Sequence, residues 1–297
     1  MLKSMPDFLP PAAWDLTEDT SIALRGFLDR IPIATPLLDR PIATACVHLG
    51  SGGPPLLLLH GFDSSVFEWR RLLPLVAPER ESWAIDLLGF GFTERPRAIA
   101  YGPRAIRAHL AAFWEQCLGQ PVVLVGASMG GAAAIDFALA YPERVAQVVL
   151  IASVGITNGV PPFARHLPLP FDYLAVEFLR SRAVRESVAR KAYCDPSFAS
   201  EDARLCAGLH LAMPGWRRAM VAFTKSGGYY FDRTELARLT TPTLILWGED
   251  DRILGRDDAF IFERTLPAGR LVWIPRCGHV PHLEQPASTA RLLRQLH

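Results

Sequence analysis

Short, continuous apolar runs alternate with stretches of helical spacing along most of the chain. Pro55-Leu-Leu-Leu-Leu-His60, Ser82 to Asp86, Val122 to Val125, Val145 to Ile151, Thr243 to Trp247 and Arg270 to Ile274 read as strands. Runs without polar alternation are what strands covered on both faces require. Between them, helical spacing predicts helices over Thr20 to Leu28, Val66 to Val76, Pro103 to Leu118, the segment after Val125 that Pro142 stops, Asp257 to Leu266 and Pro286 to Leu296. The helix from Pro103 places Ile106, Leu110, Phe113 and Trp114 on one face. Arg40 to His48, followed by Gly50-Ser-Gly-Gly53, predicts an edge strand and a hairpin turn, and residues 1 to about 35 are Pro-rich with only the one short helix. Strand and helix in repeated alternation predict an α/β fold, a mostly parallel sheet with helices on both faces.

The alternation stops between residues 154 and 239. That segment carries no strand pattern, is rich in Pro, Arg, Phe and Leu, and is too long for a plain loop. It is expected to be a helical lid inserted over the sheet's C-terminal edge, splitting the core domain into residues 1–153 and 240–297. In the insertion, Leu167, Leu169, Phe171, Tyr173, Leu174, Phe178 and Leu179 crowd together ahead of Arg180, Arg182, Arg185, Arg190 and Lys191. The favoured reading packs this apolar face on the core and leaves the arginines in water. The alternative docks it on an anionic membrane surface and admits a long prenyl chain.

The chemistry centres on Pro121 to Tyr141, where a buried strand turns sharply into a helix. The turn carries Gly126-Ala127-Ser128-Met129-Gly130, a G-x-S-x-G nucleophile elbow. A serine there has a strained backbone, and glycines two residues either side leave room for the crossing chain. It also sits at a helix N-terminus, which favours developing negative charge. Asp136 and the glycines interrupt this run, so it does not read as a membrane span.

An acyl-transfer serine needs a base, a carboxylate to orient that base, and donors for the oxyanion. Gly248-Glu-Asp-Asp251 follows one strand and Cys277-Gly-His-Val-Pro-His282 follows the last, both at the edge where open α/β sheets build their sites. Asp251 is preferred to Asp250 because it lies three residues after the turn glycine. His279 is preferred to His282 because Gly278 permits close approach. The expected triad is Ser128, Asp251 and His279. His60-Gly61-Phe62-Asp63 ends the strand beside the elbow. Gly61 lets the chain curl so that the Phe62 N–H, with that of Met129, forms the oxyanion hole. His60 itself reads as structural. Asp63, Trp216, Phe223 and Tyr229 are the candidate pocket residues, with the insertion's own core as the alternative for the aromatics.

Composition narrows the partners. The chain has 297 residues, half of them hydrophobic, with a formal net charge of +1, which gives no reason to expect nucleic acid. Five scattered cysteines without metal-ligand spacing suggest reduced thiols in an intracellular protein. The N-terminus shows no signal-peptide core, so a cytoplasmic protein is expected, with peripheral membrane contact left open. No metal and no cofactor are expected.

These motifs resemble the α/β-hydrolase superfamily from residue 40 onward. Narrower stretches are similar to the chlorophyll dephytylase group: His60-Gly-Phe-Asp-Ser-Ser65 with Glu68-Trp69, the loop from Asp86 to Gly91, Pro121 to Gly126, Ser226-Gly-Gly-Tyr229, Leu244 to Asp251, and Cys277 to His282. The resemblance implies hydrolysis of the phytyl ester of chlorophyll to chlorophyllide and phytol. The plant members carry a plastid-targeting extension not seen here, which points to a bacterial photosynthetic host and a place beside a photosynthetic membrane. General carboxylesterases and carbon–carbon bond hydrolases share the triad, although the latter resemble this chain less where it has Phe62-Asp63-Ser64. A non-catalytic small-molecule binder is the alternative outside the enzymes.

Overall fold

The structure, a computed structural model, describes residues 6–156 and 162–296, with the side chains of 162 and 163 left aside. The parts of the N-terminal and insertion readings that fall on residues 1–5 and 157–161 lie outside the described residues. Eight strands form one sheet: β1 (Asp29–Ile33), β2 (Ile42–Leu49), β3 (Leu56–Leu59), β4 (Ser82–Ile85), β5 (Val122–Ala127), β6 (Val145–Ile151), β7 (Thr243–Gly248) and β8 (Gly269–Ile274). Their order is β1-β2-β4-β3-β5-β6-β7-β8. β2 runs antiparallel to both of its neighbours, and every pairing from β4 to β8 is parallel.

Numbering only helices of eight residues or more, α1 is Asp19–Phe27, α2 Pro103–Cys117, α3 Met129–Ala140, α4 Phe171–Arg180, α5 Arg182–Ala192, α6 Glu201–Gly208, α7 Trp216–Ser226, α8 Asp257–Thr265 and α9 Pro286–Arg294. The central strands are buried on both faces. Leu57 and Leu59 join an apolar cluster with α2 and α3, while Leu56 and Leu58 join a second cluster with Leu24, Trp69 and Leu293 on the opposite face. Each such leucine contributes roughly 2–5 kcal/mol as judged by truncation to alanine.

Three expectations need correction. Asp29–Ile33 is a strand inside the Pro-rich segment in which only one helix was expected, because Pro32 and two charges hide it; an edge strand tolerates a missing N–H. Consequently the strand expected at the edge, β2, is the second one. Gly50–Gly53 is not a hairpin turn, since β2 pairs with β4 and β3 lies on the far side of β4. Finally, Val66 to Val76 is not one helix but a 3-10 turn, Val66–Trp69, and a short helix, Leu73–Val76.

Between β6 and β7, all regular elements among the described residues are helical. The direction of α4 contradicts the favoured expectation. Asp172 and Val176 are buried, whereas Phe171, Leu174 and Phe178 are 58%, 59% and 66% exposed. The physical reason lies in what α4 packs against. Val176 joins the core with Tyr173 packed against it, and α7 presents Lys225 to Asp172 at 2.5 Å and Arg217 to Glu177 at 2.6 Å, so this side of α4 is held inward and the stripe of Phe171, Leu174 and Phe178 turns outward.

Candidate active site

Ser128 follows β5 and caps α3 with φ 51° and ψ −114°, a conformation that costs an L-residue about 1–3 kcal/mol. Its neighbours make that turn possible. A Cβ on Gly126 would lie 2.2 Å from the Gly130 carbonyl oxygen, and one on Gly130 would lie 1.9 Å from that of Leu59. The Ser128 N–H donates to the Ile151 carbonyl at 2.9 Å, so β6 fixes the turn from the other side.

The loops after β7 and β8 meet backbone to backbone. At Gly248 a Cβ would stand 2.0 Å from the Gly278 carbonyl oxygen, closer than any side chain allows. Asp251 is thereby brought to His279, with Oδ2 2.9 Å from Nδ1. Its other oxygen, Oδ1, accepts the N–H groups of Ile253 and Leu254 at 2.8 and 3.0 Å, which fixes the carboxylate plane. With Nδ1–H donating to Asp251, Nε2 of the neutral ring is left as the basic nitrogen. The His279 N–H donates to the Ala192 carbonyl at 2.7 Å, so the end of α5 holds the histidine loop.

Asp250 accepts from the Cys194 thiol instead, at 3.3 Å. His282, the other candidate base, lies fully buried 3.1 Å from Glu68 Oε1. Ser128 and His279 line one cavity of about 910 Å3, together with Gly61, Phe62 and Asp63. That volume is near the upper end of small-molecule sites.

The strand end beside the elbow is held by buried charges whose partners lie far away in sequence. Glu68 Oε2 accepts the Gly61 N–H at 2.8 Å while Oε1 faces His282. Burial alone would raise its pKa, but the bond and charge of His282, the nearby His60 and the Gly61 N–H outweigh that and hold it low, near 2. A Cβ on Gly61 would lie 3.5 Å from Ser128 Cβ, so this loop runs directly past the nucleophile. Met129, the first residue of α3, has an N–H with no acceptor one turn back. Phe62 follows Gly61 on this loop and lines the same cavity as Ser128, while Met129 is the next residue in the chain.

His60 donates Nδ1–H to the Gly61 carbonyl at 2.8 Å and accepts the Leu87 N–H at Nε2, 3.1 Å away. Burial pushes its pKa down to about 4, so it stands as a neutral strut.

Asp63 does more than line the cavity. Held at φ 48°, it accepts from Arg185 of α5 at 2.6 Å, Trp216 Nε1 at 2.7 Å and His210 Nε2 at 2.9 Å. Burial opposes its ionisation, yet these three donors hold its pKa near 2. All three come from the insertion, so one carboxylate joins the insertion to the residue after Phe62. Glu284 makes the matching tie on the other side, accepting the N–H groups of Cys194, Asp195 and Gly278.

Trp216, Phe223 and Tyr229 do not line the cavity. They are buried in the core beneath the insertion, where Phe223 meets Phe62, Phe90 and Tyr229 through its ring. Spacing gave no sign of Glu68, Glu284, Arg185 or His210, because their partners are set by tertiary contact.

A strained serine and a carboxylate-tied imidazole on one cavity are the parts that acyl transfer needs. The model of the alpha/beta hydrolase family matches residues 56–292. The chain belongs to the α/β-hydrolase family, and as a member of it the protein is a hydrolase. It is 32% identical to the alpha/beta hydrolase domain-containing protein VTE7 of Arabidopsis thaliana, covering 97% of this chain and 89% of that one. It is 29% identical to a 2-hydroxy-6-oxo-2,4-heptadienoate hydrolase of Pseudomonas putida, covering 83% of this chain and 90% of that hydrolase. Among solved α/β hydrolases, a thermophilic esterase from Thermogutta terrifontis superposes with a TM-score of 0.76 at 26% identity, over 90% of this chain and 97% of the esterase.

Proposed function

We propose that this α/β hydrolase cleaves a carboxylic ester of a long apolar alcohol, the phytyl ester of chlorophyll or a close relative, through a Ser128 acyl-enzyme. Ser128 Oγ attacks the ester carbonyl and gives its proton to His279 Nε2. Asp251 fixes the imidazole and stabilises its charged form. The Phe62 and Met129 N–H groups receive the charge that develops on the carbonyl oxygen. His279 then protonates the leaving alcohol, and water, deprotonated by the same nitrogen, releases the acid and restores Ser128.

The observation that carries this reading is the cavity itself. Residues of both the insertion and the core line it beside Ser128, and Val184, Leu205, Leu209 and Leu211 give its insertion side apolar side chains suited to an alkyl chain. The likeness of the His60 to Ser65 and Ser226 to Tyr229 stretches to chlorophyll dephytylases supplies the identity of that chain.

A second reading has its own support, since the Pseudomonas putida relative is named for carbon–carbon bond cleavage. One experiment separates the two. Purified protein is incubated with detergent-dispersed chlorophyll a, and in parallel with a 2-hydroxy-6-oxo-dienoate, with Ser128→Ala as control. The proposal expects chlorophyllide and phytol by chromatography, absent with Ser128→Ala. Loss of the dienoate chromophore without any chlorophyllide would transfer the assignment to carbon–carbon hydrolysis.

A further inference from the structure

We propose that the outward face of α4, with the adjoining end of α5, docks on an anionic lipid bilayer and that the cavity opens into that docked face. The first observation is the inversion of α4. Phe171, Leu174 and Phe178, spaced as one helical stripe, point to solvent, while the inward side is held to α7 by the Asp172–Lys225 and Glu177–Arg217 ion pairs. A helix that only roofed the core would bury its aromatic stripe and expose its charges. Contiguous exposed apolar side chains of this size mark a surface that meets another apolar phase.

The second observation is where that stripe leads. Leu179, Arg180, Arg182, Val188 and Arg190 are exposed, and each also lines the cavity that holds Ser128 and His279. They form the rim of its mouth, and the rim is continuous with the Phe171–Phe178 stripe. Charge then selects the kind of apolar phase. From residue 171 to 192 the sequence has five basic residues against three acidic ones; Lys225 and Arg217 from α7 engage Asp172 and Glu177, Arg182 pairs with Glu186 and Arg185 turns inward to Asp63, which leaves Arg180, Arg190 and Lys191 as the exposed positive charge. Exposed apolar side chains bordered by basic residues match an interface of anionic headgroups over acyl chains. A bilayer would deliver a lipid-dissolved substrate straight into the mouth.

The test is vesicle flotation of the full chain, with vesicles of phosphatidylcholine alone or with roughly one third phosphatidylglycerol. Wild type and Ser128→Ala should both float with the anionic vesicles, because docking does not depend on the chemistry. A Phe171→Ser/Leu174→Ser/Phe178→Ser variant should lose at least about tenfold in partitioning. Its circular dichroism should be unchanged. If wild type hydrolyses p-nitrophenyl acetate, the variant's rate should stay within about twofold, since none of the three residues lines the cavity.

Should the triple variant fail to fold, Phe178→Asp alone carries the comparison. Failure of wild type to float, or equal flotation of the variant, would overturn the proposal. Equal partitioning onto neutral vesicles would overturn the role given to the arginines. A wild-type dimer that the triple variant dissociates, with no vesicle binding, would reassign the face to a second copy. Absence of esterase activity alongside intact flotation would count against the ester reading and leave the docking surface standing.

Discussion

Leu56–Leu59 in β3 and Phe171, Leu174 and Phe178 in α4 are two apolar sets in one molecule with opposite fates. The first is fully buried between helices on both faces of the sheet, and the second stands in solvent. Their neighbours account for the difference. β3 lies between two parallel strands with its leucines in the apolar clusters above and below, whereas α4 is fastened inward by Val176 and by the Asp172–Lys225 pair. The sheet gives the chemistry a rigid edge, and the insertion gives it a roof with an apolar exterior. Asp63 and Glu284 are two buried carboxylates that tie the two regions together next to the site, one beside the expected oxyanion donor and one beside the histidine loop.

The largest test of this division lies at the rigid edge. Asp251→Asn keeps the shape of the site but loses the acceptor that holds the His279 tautomer, so kcat/KM should fall by about 10^3- to 10^4-fold with little change in melting temperature. A loss under tenfold would remove Asp251 from its role. Next comes the contrast between the two apolar sets, read by denaturant unfolding. Leu58→Ala should cost about 2–5 kcal/mol, and Phe178→Ser should stay within about 0.5 kcal/mol of wild type. A large loss for Phe178→Ser would mean that α4 packs inward after all.

A pH series sharpens the comparison within the core. His60 and His109 are buried, and burial lowers both pKa values to about 4. Each group's folded pKa lies below its unfolded value, so its contribution to stability is complete above about pH 6.5 and lost as pH falls toward 4. Buried Asp86, raised to about 7 by desolvation, works in the opposite sense, and comparing two proteins cancels it. His109 meets Thr44 Oγ1 at 2.8 Å and has no catalytic contact. His109→Gln should therefore lose about 2 kcal/mol less stability than wild type between pH 7 and pH 5. Equal losses would show that His109 titrates normally.

The smallest effect concerns the tie between regions. Asp63→Asn weakens the hold of Arg185 and His210 on the residue after Phe62, and kcat for a short ester should drop about tenfold with KM less affected. A rise in KM with kcat intact would make Asp63 a part of the binding wall only.

How much of this could be read from the sequence follows from range. Continuous apolar runs located β3 to β8 because a strand covered on both faces needs nothing else. The elbow around Ser128 and the acid and histidine loops were legible for a related reason: turn glycines and strand ends fix them locally. β1 was hidden because Pro32 and its flanking charges suit a loop as well as an edge. The stripe on α4 was visible as a stripe, but its direction depends on Lys225 and Arg217, which lie some forty or fifty residues later. Glu68 stood out only through the resemblance and Arg185 only as one of a basic cluster; the partners of both, and the roles of Glu284 and His210, are set by residues far away in sequence and carry no local signal.

Labelling with a fluorophosphonate probe, followed by mass spectrometry of the modified peptide, most directly tests whether Ser128 and His279 act as one unit. The account expects a single adduct on Ser128 in wild type, none in Ser128→Ala, and labelling slowed by at least about a thousandfold in His279→Ala. Labelling of Ser128 at the wild-type rate in His279→Ala, or no adduct on Ser128 in the folded protein, would contradict it.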